Sequence, residues 1–132
     1  MPKLLYVDTN ILIYLLERHE RYSEAVAWEL DEFAKNPGAA LITSAITVAE
    51  FLAGTKATSL DILRKVPRLK FAVLDEELAE KAGKIKRQSS LQIGDAVHLA
   101  TAISVSAEAF FTNDKKLANI VAKHMQVKQL TN

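Results

Sequence analysis

The sequence predicts an α/β fold, a sandwich in which helices cover a parallel sheet. Three observations predict it. Short apolar runs of strand length alternate with longer segments of helical periodicity, the pattern of parallel strands joined by helical crossovers. The chain has 132 residues, the size of one domain, here residues 1–132, and 49% of them are hydrophobic, ample for a single core. No internal repeat, low-complexity segment or interdomain linker divides it.

The elements follow in order. Residues 3–7 are an apolar strand. Residues 11–16 begin a helix and 22–34 form another, followed by the Pro37-Gly38 break. Residues 41–43 are a short strand. Residues 45–53 are a helix with Gly54 as its stop. Residues 60–65 are a short helix ended by Pro67. Residues 71–74 are a strand, and 76–87 an amphipathic helix. After a loop over 89–94, residues 95–107 are an almost wholly apolar helix. Residues 109–111 are a strand, 115–123 the last helix, and 125–130 an edge strand.

Composition narrows the function classes. There are no cysteines, which excludes disulfides and thiolate metal sites and is compatible with a reduced cytoplasm. Met1 leads straight into the first strand without the basic and apolar regions of a signal peptide. No apolar run is long enough to span a bilayer.

Three acids stand alone in core-like sequence. Asp8 is the only charge between Lys3 and Glu17, Glu50 between Lys35 and Lys56, and Asp95 between Arg87 and Glu108, counting histidine as neutral. A lone buried carboxylate costs several kcal/mol or changes its protonation state, so each needs a partner. Asp8 and Asp114 both follow strands, and in an open α/β sheet ligands bind beyond the carboxyl ends of the strands. Thr43, Thr47, Glu50 and Gly54 make one stripe at helical spacing. Four carboxylates converging on one crevice would suit hard divalent cations such as Mg²⁺ or Mn²⁺. The structural alternative is capping. Asp8 and Asp114 both precede helical sequence and fit either role, whereas Asp75, followed by Glu76 and Glu77, reads as a helix cap.

The blocks DTNILIYLLE (8–17), ITVAEFLAG (46–54), GDAVHLATAI (94–103) and FFTNDKKL (110–117) resemble, in order and spacing, the four blocks of the PIN domain family, in particular its VapC-type toxins. The resemblance covers essentially the whole chain. It implies a three-layer α/β/α sandwich, Mg²⁺- or Mn²⁺-dependent endoribonuclease activity with one or two ions, and a catalytic, metal-binding quartet of Asp8, Glu50, Asp95 and Asp114. Asn10, Thr112 and Asn113 match polar positions that orient carboxylates or water. It further implies a cytoplasmic protein with an RNA substrate, a cognate antitoxin and a homodimer contact, for which Tyr14 and Trp28 are candidates. The alternatives are a PIN nuclease of RNA processing and a PIN-like module that binds RNA or protein without cutting.

The expected reaction is phosphodiester hydrolysis by metal-activated water. The three histidines do not suggest a metal-free acid–base pair. His98 stands where the family is often aliphatic, about one turn after Asp95, and reads as a core or rim histidine within reach of the site. The net charge is +1, and setting the four acids aside leaves 17 basic against 12 acidic residues, an exterior of +5. Lys81, Lys84 and Arg87 on one helix face, with Lys115 and Lys116 after Asp114, are the candidate RNA contacts.

Overall fold

The computed structural model describes residues 3–130, so the reading of Met1 falls outside it. The elements run β1 Leu4–Val7, α1 Thr9–Leu16, α2 Ser23–Ala34, β2 Ala40–Ser44, α3 Ile46–Gly54, a 3₁₀ turn Leu60–Lys65, β3 Leu69–Ala72, α4 Glu76–Gln88, α5 Ile93–Ser104, β4 Ala109–Phe111, α6 Lys115–Val121 and β5 Gln126–Lys128. Five parallel strands form one sheet in the order β3-β2-β1-β4-β5.

Alternation along β1 divides the core. Leu5 and Val7 pack with Ile11, Leu12, Val26, Leu30 and Phe51 on one face. Tyr6 points to the other, among Leu99, Phe110, Leu117 and Val121. With successive side chains on opposite faces, a strand in the middle of the sheet is apolar on both, hence the unbroken run LLYV. Helix α4 lies outside α5, joined to it through Leu78, Ala82, Ala96, Val97 and Ala100. The result is the expected α/β/α sandwich around a parallel sheet.

Strand order reverses at β1. The chain steps outward from β1 to β2 and β3, then crosses back to lay β4 against the free side of β1, in the register Val7↔Phe111. The carboxyl ends of β1 and β4 therefore flank a topological switch point, where the diverging connections leave a crevice. The first residues beyond those ends are Asp8 and Thr112.

Several boundaries differ from the sequence reading. The third strand is Leu69–Ala72 rather than 71–74: Arg68 takes φ 64°, turning the chain into register with β2, and Val73 is already 77% exposed. Gly54 is the last residue of α3 and has no left-handed conformation; the helix stops because Thr55 is extended. Thr43 lies in β2, so the stripe with Thr47 and Glu50 spans a strand end and a helix. Helix α5 starts at Ile93 and ends at Ser104, taking in Gly94.

Candidate active site

Each of the four acids reaches the crevice from a different element. Asp8 follows β1, Glu50 lies on α3, Asp95 is in the first turn of α5 and Asp114 precedes α6. Their mutual influence is evident in Asp95. Burial, followed by the charges of Asp8 and Asp114, pushes its carboxyl up to about 6. Among the described residues, no lysine or arginine forms an ion pair with any of the four.

Asp8 is 4% exposed. It occupies the N-cap position of α1, yet its side chain caps nothing. Its Oδ2 instead accepts a 2.8 Å hydrogen bond from the Thr112 hydroxyl at the end of the neighbouring strand. Burial raises its pKa, opposed by His98, Thr112 and the backbone at Thr9. The cap alternative thus fails for Asp8. It holds for Asp75, whose Oδ1 accepts from the Leu78 amide. It holds for Asp114 as well: Oδ1 accepts from the Leu117 amide, and its own amide donates to Thr112 Oγ1.

Glu50 is held more elaborately. Its Oε1 accepts from Thr9 Oγ1 and from His98 Nε2, both at 2.7 Å. Burial alone would raise its pKa, but these two donors outweigh it and keep Glu50 below the usual carboxylate value. Thr9 continues through Thr47 and Thr43 to the carbonyl of Val7, a ladder of hydroxyls that ties α3 to the end of β1. Gly94 closes the far side, where a β-carbon would stand 2.8 Å from Glu50 Oε2.

A common pattern emerges. Glu50 and Asp114 each have one carboxylate oxygen anchored by a protein donor, with no bond to the other found among the described residues, and Asp8 is held by Thr112 and by the backbone at Thr9. Carboxylates that bind ions are themselves steadied by hydrogen bonds in this way, and all-oxygen donor sets suit Mg²⁺ or Mn²⁺. Among the described residues, no three carboxylate or histidine side chains are already close enough to hold one ion. The donor chemistry, four carboxylates unpaired with lysine or arginine among the described residues, fits a divalent cation.

Of the remaining candidates, Thr112 is buried and bonded to Asp8, Asn113 is partly buried beside it, and Asn10 is exposed on the second residue of α1. Lys84 and Arg87 are exposed on α4, and Lys84 is paired with Glu80 at 3.2 Å. Lys115 and Lys116 are exposed at the start of α6, directly after Asp114. His19 and His124 are exposed and away from the acids, whereas His98 is 1% exposed and among them. Sequence reasoning missed Thr9, Tyr6 and Gly94. Their neighbours Asp8 and Asp95 drew attention, but nothing in the spacing distinguishes a threonine, tyrosine or glycine that serves a distant Glu50.

Another cavity, of about 380 Å³, is lined by Leu15, Leu30, Phe33, Leu41 and Val66. It opens near the amino end of β2, opposite the acids, and is not part of this site.

Comparisons with solved structures give the same fold. VapBC2 of Rickettsia felis, solved bound to a promoter DNA fragment, has a TM-score of 0.73 at 19% identity, covering 97% of this chain and 99% of that one. A toxin–antitoxin complex from Klebsiella pneumoniae has a TM-score of 0.67 at 25% identity, covering 88% and 92%. VapC20 of Mycobacterium tuberculosis, described as a sarcin–ricin loop cleaving toxin, has a TM-score of 0.68 at 14% identity, covering 88% and 94%. No curated protein sequence matches the chain. The family model described as PIN domain matches residues 5–123, from the first strand through α6, and the chain therefore belongs to the PIN domain family.

Proposed function

We propose that this protein is a divalent-cation-dependent endoribonuclease, the toxin of a toxin–antitoxin pair, acting in the cytoplasm. The observation that carries the reading is the convergence of Asp8, Glu50, Asp95 and Asp114 at the switch point, with no lysine or arginine among the described residues paired to any of them. Mg²⁺ or Mn²⁺, bound there as one or two ions, would supply charge neutralisation and activation of water toward phosphorus.

The chain's own residues have definable tasks. Asp8, fixed by Thr112 at the end of β1, and Asp114, fixed by its cap bond at the start of α6, would be two of the ligands. Glu50 presents its open oxygen from α3. Asp95, raised by burial and then by the charges of Asp8 and Asp114, would complete the set as a ligand whose charged form a cation favours. Lys115 and Lys116 hold the phosphate backbone next to Asp114. In-line attack by water leaves a 5′-phosphate and needs no 2′-hydroxyl, which separates this chemistry from histidine-driven cleavage.

The solved toxin–antitoxin structures support an antitoxin partner by analogy of fold. Trp28, 60% exposed on α2, supports a homodimer contact. Among the described residues, no helix is long and apolar enough to cross a membrane.

The decisive experiment is cleavage of end-labelled single-stranded RNA with Mn²⁺, with and without EDTA, for the native protein and Asp8→Asn. Cleavage with 5′-phosphate ends, abolished by both treatments, is expected. Cleavage that survives both would overturn the reading. Absence of cleavage together with tight RNA binding would favour the non-catalytic binding module.

A further inference from the structure

The site contains one buried group that carboxylate chemistry alone does not explain. His98 lies on the inner face of α5, with Nδ1 2.6 Å from Tyr6 Oη and Nε2 2.7 Å from Glu50 Oε1. Nε2 is also 3.8 Å from Asp8 Oδ1 and 3.2 Å from Thr9 Oγ1. An ionised carboxylate only accepts hydrogen bonds, so Nε2 must donate to Glu50. On the other side of the ring, Nδ1 is bonded to the buried Tyr6 hydroxyl, so the imidazole is held at both nitrogens.

Tyr6 is itself enclosed by packing. Its ring is fully buried at the centre of β1, stacked on Phe110 at 4.8 Å between centroids, and meets the His98 ring edge-on at 5.7 Å. A continuous path therefore runs from the middle of the sheet through a phenol and an imidazole to a partly exposed glutamate. A leucine at position 98 would fill comparable volume but leave both Tyr6 Oη and Glu50 without this partner.

We propose that His98, oriented by Tyr6, is a positioning residue that fixes the Glu50 carboxylate with Oε1 anchored and Oε2 open, and so sets the crevice's affinity for a divalent cation. This rests on the reading of the four acids as a cation site. The role explains why a polar ring occupies a largely apolar helix face. It also assigns Tyr6 a function separate from packing.

The test is Mn²⁺ binding by isothermal titration calorimetry on the full chain, well below the melting temperature, for the native protein, His98→Leu, His98→Gln and Tyr6→Phe. Loss of such an orienting partner typically weakens metal binding ten- to a hundredfold, so the Leu variant should bind Mn²⁺ about tenfold more weakly or worse. The Gln variant, which keeps an amide donor near Nε2, should recover most of that loss. Tyr6→Phe should fall between. RNA cleavage at saturating Mn²⁺ should show KM for RNA unchanged in all three.

If His98 merely fills space, His98→Leu will lower the melting temperature of the metal-free protein while Mn²⁺ affinity stays native, which would overturn the proposal. Should that variant fail to fold, native Mn²⁺ affinity in Tyr6→Phe overturns it instead. A native protein that takes up no Mn²⁺ would remove the cation reading itself, a result distinguishable from equal affinities across the series.

Discussion

Gly94 stands so close to Glu50 that a β-carbon there would lie 2.8 Å from Oε2. The approach joins the first turn of α5 to the middle of α3, and it falls on the carboxylate oxygen left open toward the crevice.

A Gly94→Ala substitution should therefore separate stability from function. Gly94 is helical and has no positive φ, so alanine suits its backbone and favours the helix by about 0.5–1 kcal/mol. The displaced atom is the end of a flexible side chain and can move away. The melting temperature should hold or rise, while Mn²⁺-dependent cleavage falls roughly tenfold as Glu50 is pushed from its pose. Thermal melts beside single-turnover cleavage check this. Native activity in the alanine variant would show that the observed Glu50 pose is not the working one.

Thr112→Val tests the anchor of Asp8. Valine keeps the shape but leaves a buried carboxylate oxygen without its donor, at a cost of about 1–3 kcal/mol, and removes the acceptor used by the Asp114 amide. Stability and cleavage should both drop, and Thr112→Ser should restore both. Chemical denaturation and the RNA assay read the two effects.

Asp95 predicts a pH dependence in the metal-free protein. Its carboxyl titrates at about 6 when folded, against an ordinary value of 3.8. Between these values the folded state holds more protons than the unfolded one, so this contribution is present at low pH and is lost as pH rises through about 6. Asp95→Asn removes the loss. The melting temperature of the variant minus that of the native chain should grow from pH 4 to pH 7, and Mn²⁺ should stabilise the native chain more. A variant less stable than the native metal-free protein at pH 7 would make Asp95 a structural residue.

The basic residues predict salt dependence. Replacing Lys115 and Lys116 together with alanine should weaken RNA binding and reduce the slope of log affinity against log salt by about 0.7 for each phosphate no longer neutralised. Lys84→Ala should do less, because its charge is already engaged by Glu80. Filter binding across a salt series distinguishes the two, and equal slopes would remove Lys115 and Lys116 from the interface.

The sequence by itself determined the layer order and the four acids. Strand-length apolar runs between helical segments leave few alternatives to a parallel sheet, acids isolated in core-like sequence singled out Asp8, Glu50 and Asp95, and Asp114 entered by its place after a strand and the family resemblance. Boundaries slipped where local signals were overruled. The apolar run Phe71–Leu74 read as a strand, but pairing with β2 drew β3 back to Leu69–Ala72, and Gly54 looked like a stop although extended Thr55 ends the helix. Only the tertiary structure decided which oxygens are anchored and by what. Tyr6, Thr9, Gly94 and His98 act on Glu50 across 44, 41, 44 and 48 positions of the chain. No local periodicity encodes such pairings. They exist because the crossover from β3 to β4 brings α5 against the end of β1, where a short hydrogen bond between distant residues becomes possible.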